Sequence, residues 1–147
     1  MGRILGVDLG ARRIGLAVSD PSGIIASPLG TIERSGDDHR DRVAIVAAAS
    51  ESEATIVVVG LPREMSGRMG PAAKAAKAEV EALRALAPAL TFELVDERMT
   101  TVIATRSLID AGVRRKARKQ TVDKVAAAVI LQSYLEARPG RRPQDPG

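Results

Sequence analysis

A run of β-branched residues constrains the fold of this chain more than any other feature. Ile56-Val57-Val58-Val59 offers no polar side chain to either face of a strand. Such a run is typical of a strand that is buried on both sides, as in sheets with helices packed on both faces. The run therefore predicts an α/β fold with a buried strand over Thr55 to Gly60.

The segments before this strand predict an antiparallel meander. Three apolar stretches are joined by short turns at Gly10 and at Pro21-Ser22-Gly23, and short turns connect antiparallel neighbours. The third stretch is broken by Pro28, which has no N–H to donate. The predicted strands are Arg3 to Asp8, Ile14 to Asp20 and Ile24 to Glu33.

The segments after the meander predict helices that alternate with strands. The sequence thus indicates a five-stranded mixed sheet, three antiparallel strands plus parallel ones, with helices on both faces. The predicted helices are Asp37 to Glu51 (with Val43, Val46 and Ala47 on one face), Pro71 to Leu86, Thr100 or Thr101 to Ala111, and Val122 to Ala137 capped by Thr121; Leu90 to Val95 is the fifth strand. Residues 61–69 are predicted to be a loop, and Arg114 to Lys119 a loop or a frayed helix. One folded domain over 1–137 and a disordered tail over 138–147, rich in proline, complete the prediction.

The composition excludes several kinds of site. The chain has no cysteine and one histidine, His39, so a zinc site of His and Cys is impossible, and His39 lies on a polar stretch expected at the surface. Phe92 and Tyr134 are the only aromatic residues, too few for a base-stacking platform. No export signal or membrane span is recognisable, so a cytoplasmic location is expected.

Three acidic positions fall where a site is expected. Asp8 ends the first strand, Asp96-Glu97 follows the fifth, and Asp123 begins the last helix above a stripe of Ala126, Ala127 and Ile130. Each has a structural alternative: a turn residue, a charged loop, and a partner of the helix dipole. If they converge, their oxygens suit Mg²⁺ or Mn²⁺, and spacing alone leaves that convergence open.

Positive charge is concentrated at the carboxyl end of the chain. The net charge is +4, whereas residues 112–147 carry nine Lys or Arg against three Asp or Glu. A basic segment on a mildly acidic body suggests a polyanionic partner, and a solvated tail is the alternative. The densest cluster is Arg114, Arg115, Lys116, Arg118 and Lys119, for which phosphate contacts are expected.

Four motifs in order resemble the YqgF family, also called RuvX-like pre-16S rRNA nucleases, of the ribonuclease H-like superfamily. The resemblance runs from about Ile4 to Leu135. It rests on Gly6-Val7-Asp8-Leu9-Gly10 with Arg13-Ile14-Gly15-Leu16-Ala17, on Val59-Gly60-Leu61-Pro62, on Asp96-Glu97-Arg98, and on Asp123-Lys124 with Ala126-Ala127. The resemblance implies a ribonuclease H-like fold.

The same resemblance implies that Asp8, Glu97 and Asp123 are catalytic, metal-binding residues. It selects Glu97 over Asp96. Arg13, Arg98 and Lys124 are candidates for contact with nucleic acid, with a counter-ion or surface role as the alternative. Glu64 and Ser66 depart from the family pattern, so no residue of that loop is assigned a role, and Met99-Thr100-Thr101 is a milder departure that keeps the capping hydroxyls.

The implied activity is metal-dependent hydrolysis of phosphodiester bonds in structured RNA, in 5′-end maturation of pre-16S rRNA during ribosome biogenesis. The alternative substrate is branched DNA, with the protein acting as a Holliday-junction resolvase; that activity needs two sites and hence a homodimer, and a stable monomer would argue against it. The oligomeric state, monomer or homodimer, stays open. Two other classes remain open: an ATP-dependent phosphotransferase of the actin and sugar-kinase type, and a nucleic-acid-binding factor without turnover.

Overall fold

The computed structural model describes residues 2–61, 70–97 and 115–138, except for the side chains of residues 115–123. The predicted helix over 100–111, residues 62–69 of the predicted loop and residues 139–147 of the predicted tail lie outside these ranges. The elements are β1 (Arg3–Leu9), β2 (Arg13–Ser19), β3 (Ala26–Glu33), α1 (Asp38–Glu51), β4 (Ala54–Leu61), α2 (Pro71–Leu86), β5 (Thr91–Asp96) and α3 (Arg115–Ala137). None of the helices in the described part is long and apolar enough to cross a membrane.

The five strands form one mixed sheet in the order β3-β2-β1-β4-β5. β1 pairs with β2 and β2 with β3 in antiparallel fashion, while β4 lies parallel to both β1 and β5. The predicted meander and the predicted parallel strands are confirmed. As a consequence, the carboxyl ends of β1, β4 and β5 meet at one edge of the sheet.

Both faces of the sheet are covered, as the β-branched run predicts. Val57 and Val59 pack with Ile45 of α1 and Leu83 of α2, and we call this side the α1/α2 face. Val58 points the other way and packs against α3, on what we call the α3 face. In the buried cluster on this face, the sheet contributes Ile4, Ala17 and Val58, and α3 contributes Ala126, Ala127, Ile130, Leu131 and Leu135.

The edge strand β3 is continuous where the sequence predicts a break. Pro28 pairs with Ala17 and Gly30 with Leu16, so Leu29 is an extra residue in the ladder. An edge strand tolerates this irregularity because one side of it makes no ladder bonds. Pro28 and the bulge also disrupt the row of donors that a second sheet would pair with.

Helix α1 is confirmed, but of the three apolar residues predicted to share one face only Val46 packs against the core. Asp37 caps the helix by accepting a hydrogen bond from the main-chain N–H of Arg40 at 3.2 Å. Residues 41, 45 and 49 face the sheet, while Val43 is 46% exposed. Apolar residues surround this helix from Val43 to Ala49, so the pattern did not determine which stripe packs inward.

Helix α3 begins earlier than predicted. Its backbone is helical from Arg115, so the loop interpretation of residues 115–119 is wrong. Thr121 lies within the helix and does not cap its amino end. Arg, Lys, Ala and Gln are good helix formers, and neither Gly nor Pro occurs between residues 115 and 137. The basic segment is therefore continuous with the helix that carries Asp123.

Candidate metal and nucleic-acid site

Asp8 lies at the carboxyl end of β1 and is almost completely buried, at 3% exposure. Its side chain belongs to the α3 face by strand alternation, because Ile4 packs there and a Cβ on Gly6 would lie 2.8 Å from Cβ of Leu131. The buried carboxylate makes contacts within the protein. Asp8 thus places a carboxyl group on the face of the sheet that α3 covers.

Glu97 reaches the same face from the end of β5. A Cβ on Gly60 would lie 3.2 Å from Oε2 of Glu97 and 2.6 Å from Cδ1 of Ile130, so the carboxyl group of Glu97 covers Gly60 beside the helix. Val7 pairs with Val59 in parallel register, which makes Asp8 and Gly60 the next neighbours across the two strands. Adjacent strands are about 5 Å apart, so the structure brings Asp8 and Glu97 together.

Asp96 belongs to the opposite face. Phe92 and Leu94 pack on the α1/α2 face, and the same alternation places Asp96 on that side. Glu93, in contrast, accepts a hydrogen bond from the hydroxyl of Tyr134 in α3. Strand geometry therefore separates the two neighbouring acids and supports the choice of Glu97 that the family resemblance made.

The direction of α3 places position 123 near these two acids. Gln132 accepts from the main-chain N–H of Ala26 at 2.9 Å, and Ile4 at the start of β1 donates to Oγ of Ser19, the partner of Ala26. The carboxyl half of α3 therefore lies over the start of β1, and its amino half extends toward Asp8. From Ala127 to position 123 the helix advances about 6 Å, and from Gly6 to Asp8 the strand advances about 7 Å.

The stripe predicted below Asp123 is confirmed, whereas Asp123 itself lies outside the described side chains. Ala126, Ala127 and Ile130 are fully buried against the sheet. Position 123 is one turn before Ala126 and Ala127 on the same helical face. The backbone thus carries the third predicted acid toward Asp8 and Glu97. Among the described side chains there is no group of three or more potential metal ligands.

The predicted cationic contacts are described only in part. Arg13, by strand alternation on the α3 face, forms an ion pair with Glu33 at 3.0 Å, and its side chain is 14% exposed. Lys124 is half-buried on α3. Arg98 and Arg114 lie outside the described residues, and Arg115, Lys116, Arg118 and Lys119 are described in their helical backbone alone.

The donors at this edge fit a hard divalent cation. Asp8 and Glu97 offer carboxylate oxygens, and Gly60, lacking a Cβ, leaves the space into which the Glu97 carboxyl group folds. Sequence reasoning assigned no structural role to Gly60. A glycine that ends a β-branched run is itself a signal of close approach, and this signal was available in the sequence.

Comparison with known proteins places the chain among nucleases. The RuvX family model, described as "Holliday junction resolvase", matches residues 2–137. A Mycobacterium sp. (strain KMS) protein named "Putative pre-16S rRNA nuclease" is 49% identical over 140 residues, covering 93% of this chain and 81% of the relative. A Nocardia farcinica protein of the same name is 46% identical over 142 residues, covering 93% of this chain and 79% of the relative.

Solved structures share the fold at low identity. The RuvC of T. thermophilus, in complex with a Holliday junction substrate, has a TM-score of 0.55 and 15% identity and covers 92% of this chain and 96% of its own. The yeast mitochondrial Holliday junction resolvase Ydc2 has a TM-score of 0.53 and 11% identity, covering 92% of this chain and 79% of its own. These likenesses confirm the predicted ribonuclease H-like architecture. From the family match and relatives at nearly half identity, it follows that the chain belongs to the RuvX family, also known as YqgF.

Proposed function

We propose that this protein is a divalent-metal-dependent nuclease that acts in 5′-end maturation of pre-16S rRNA. The observation that carries the proposal is the placement of two buried carboxyl groups, Asp8 and Glu97, at neighbouring strand ends on the face of the sheet that α3 covers. Family membership and the names of relatives near 49% identity support the same chemistry and this substrate.

Asp8, Glu97 and Asp123 would hold Mg²⁺ or Mn²⁺ through oxygen atoms alone, which both ions accept. Such ions, when bound, lower the pKa of a water and stabilise the leaving oxygen of a phosphodiester. The protein's own contribution is placement: Asp8 stands on a strand paired on both sides, and the carboxyl group of Glu97 lies against Gly60 of the buried strand β4. Rigid placement of ligands on regular elements is what precise catalysis requires.

The decisive experiment compares cleavage of a precursor rRNA fragment and a four-way DNA junction, side by side, with Mg²⁺, Mn²⁺ or EDTA. We expect metal-dependent cleavage of the RNA, and its loss in Asp8→Asn and Glu97→Gln. Asp96→Asn is the matched control, since it changes the neighbouring acid on the other face of the sheet. Cleavage that survives Glu97→Gln but not Asp96→Asn would contradict the assigned site.

Holliday-junction resolution is the second candidate, favoured by the description of the matching family. A resolvase cuts two strands and so needs two sites, which a homodimer supplies. Preferential cleavage of the junction, together with a dimer in solution, would select this function over rRNA maturation.

The basic start of α3 would grip the phosphate backbone next to the cut. Each phosphate contact releases a counterion, so binding should weaken with salt at a slope near one per contact. Exchange of Arg114, Arg115, Lys116, Arg118 and Lys119 for Gln should flatten that slope and weaken binding to all sequences alike. Binding curves at several salt concentrations test this, and an unchanged slope would mean that the nucleic acid docks elsewhere.

A further inference from the structure

The turn that follows Asp8 is tightly constrained. The main-chain N–H of Gly10 donates to the carbonyl of Asp8 at 3.1 Å and to that of Arg13 at 3.0 Å. A Cβ on Gly10 would lie 2.4 Å from the carbonyl oxygen of Arg13, so no other residue fits there without moving the backbone. Any shift of this turn is therefore transmitted directly to the backbone of Asp8.

Arg34 holds this turn from outside. It follows the last residue of β3, and its main-chain N–H donates to the carbonyl of Arg12 at 2.9 Å. Its side-chain Nε donates to the carbonyl of Gly10 at 2.7 Å. One residue thus bonds both arms of the turn, and the second bond is charge-assisted and short.

The guanidinium of Arg34 lies away from the acid site. It lines a cleft together with Leu9, Asp38 and Glu79. Leu9 packs with the cluster on the α1/α2 face, whereas the carboxylate of Asp8 belongs to the α3 face. The charge of Arg34 is therefore on the other side of the sheet from the proposed metal ligands, and its influence on them runs through the backbone.

We infer that Arg34 is a positioning residue for Asp8, an inference that rests on the proposed metal-dependent function. The bond to Gly10 fixes where the turn, and with it the Asp8 carboxylate, stands relative to Glu97. Groups that orient a metal ligand from behind typically change metal affinity or activity 10- to 100-fold when removed. For Arg34, which acts through the main chain, we expect about a tenfold change, at the lower end of that range.

The test uses Arg34→Met, which removes the donor, and Arg34→Lys, which keeps one. Arg84→Met is the matched control, because Nη2 of Arg84 makes the same kind of bond, to the carbonyl of Phe92 at 2.9 Å, at the far end of β5. The measurements are the Kd of Mn²⁺ alone, the free energy of unfolding, and kcat and KM on the RNA fragment.

For Arg34→Met we expect a Mn²⁺ Kd raised about tenfold and a lower kcat, with KM and the salt dependence of RNA binding unchanged. The Mn²⁺ Kd and kcat of Arg34→Lys should lie between those of Arg34→Met and the wild type. If Arg34→Met does not fold, Arg34→Lys is the variant on which the test is made. Arg84→Met should bind Mn²⁺ like the wild type even where it loses stability.

Two results would overturn the inference while leaving the proposed function intact. One is that the wild-type protein binds Mn²⁺ and cleaves RNA, and that both Arg34 variants have the same Mn²⁺ Kd and the same kcat as the wild type. The other is a variant whose KM rises and whose salt slope falls by about one at constant Mn²⁺ affinity, since that is the behaviour of a phosphate contact. A wild-type protein that neither binds Mn²⁺ nor cleaves would refute the proposed function and this inference together.

Discussion

Gly60→Ala places one methyl group between the core and the proposed site. The new Cβ would lie 2.6 Å from Cδ1 of Ile130, a fully buried side chain, and 3.2 Å from Oε2 of Glu97. Overpacking of this kind costs about 1–3 kcal/mol, while replacing a strand glycine by alanine returns about 0.5–1 kcal/mol. We expect a net loss of about 1–2 kcal/mol, equivalent to a fall in Tm of roughly 3–6 °C for a chain of this size.

A second substitution separates packing from chemistry. Ile130→Val removes Cδ1 and by itself costs about 0.5–1.5 kcal/mol. In the double variant the new methyl group has no Cδ1 to strike, so the clash is absent. The double variant should therefore lose about 1 kcal/mol less unfolding free energy than the two single variants lose in sum. The contact with Glu97 remains, so the Kd of Mn²⁺ should stay raised, about tenfold, in the single and the double variant.

Gly30→Ala is the matched control, because a Cβ there would meet nothing within 4 Å. It should leave Mn²⁺ binding unchanged and stability equal or higher by up to about 1 kcal/mol. Urea unfolding and Mn²⁺ titration measure both quantities on all variants. If Gly60→Ala matches Gly30→Ala in both, or if Ile130→Val restores the Mn²⁺ affinity completely, Glu97 does not cover Gly60 as described.

Three further predictions address single acidic groups. Asp8→Asn should abolish Mn²⁺ binding and cleavage at equal or slightly higher stability, because it removes charge repulsion at the site; a clear loss of stability would assign Asp8 a structural role instead. The hydroxyl of Ser22 and the main-chain N–H groups of Ile25, Ile24 and Ser22 lower the pKa of Asp20 from 3.8 to about 2. The contribution of Asp20 to stability is therefore complete above about pH 4 and is lost as the pH falls toward 2. Ser22→Ala should raise that pKa in an NMR titration, and an unchanged value would contradict the assigned cause. Burial, and after it the hydrogen bond with Glu93, raises the pKa of Tyr134 from 10.0 to about 12. The stability that Tyr134 contributes is therefore present below pH 10 and is lost toward pH 12. An ultraviolet absorbance titration, run alongside unfolding at each pH, measures both.

The sheet was predictable because the residue types along the chain identify its strands and turns. The run around Val58 has no polar position, and the meander has turn residues at each reversal. What failed was the choice between similar alternatives. Helix α1 is apolar on more than one side, so its buried stripe was decided by the sheet it meets, and the basic residues after Arg115 form helix as readily as loop.

The site was only partly predictable, since local sequence does not determine which side chains meet. Asp96 and Glu97 are adjacent carboxylic acids that local sequence does not distinguish, and the choice of Glu97 came from the family resemblance. The geometric argument required the pairing of β4 with β5 and the contact at Gly60, both of which depend on the tertiary fold. Arg34 carried no sequence signal, because its partner is a main-chain carbonyl 24 residues away.

The close approach at Gly6 has a consequence for how this protein meets its substrate. With no side chain on Gly6, helix α3 rests on the strand itself: a Cβ there would be 3.0 Å from the carbonyl oxygen of Ala127. The helix cannot slide along β1 without main chain striking main chain, so the separation between Asp8 and position 123 is set when the protein folds. The proposed metal site is therefore preorganised, and we expect adaptation during binding to fall to the nucleic acid, whose backbone would bend to bring its phosphate to Asp8 and Glu97.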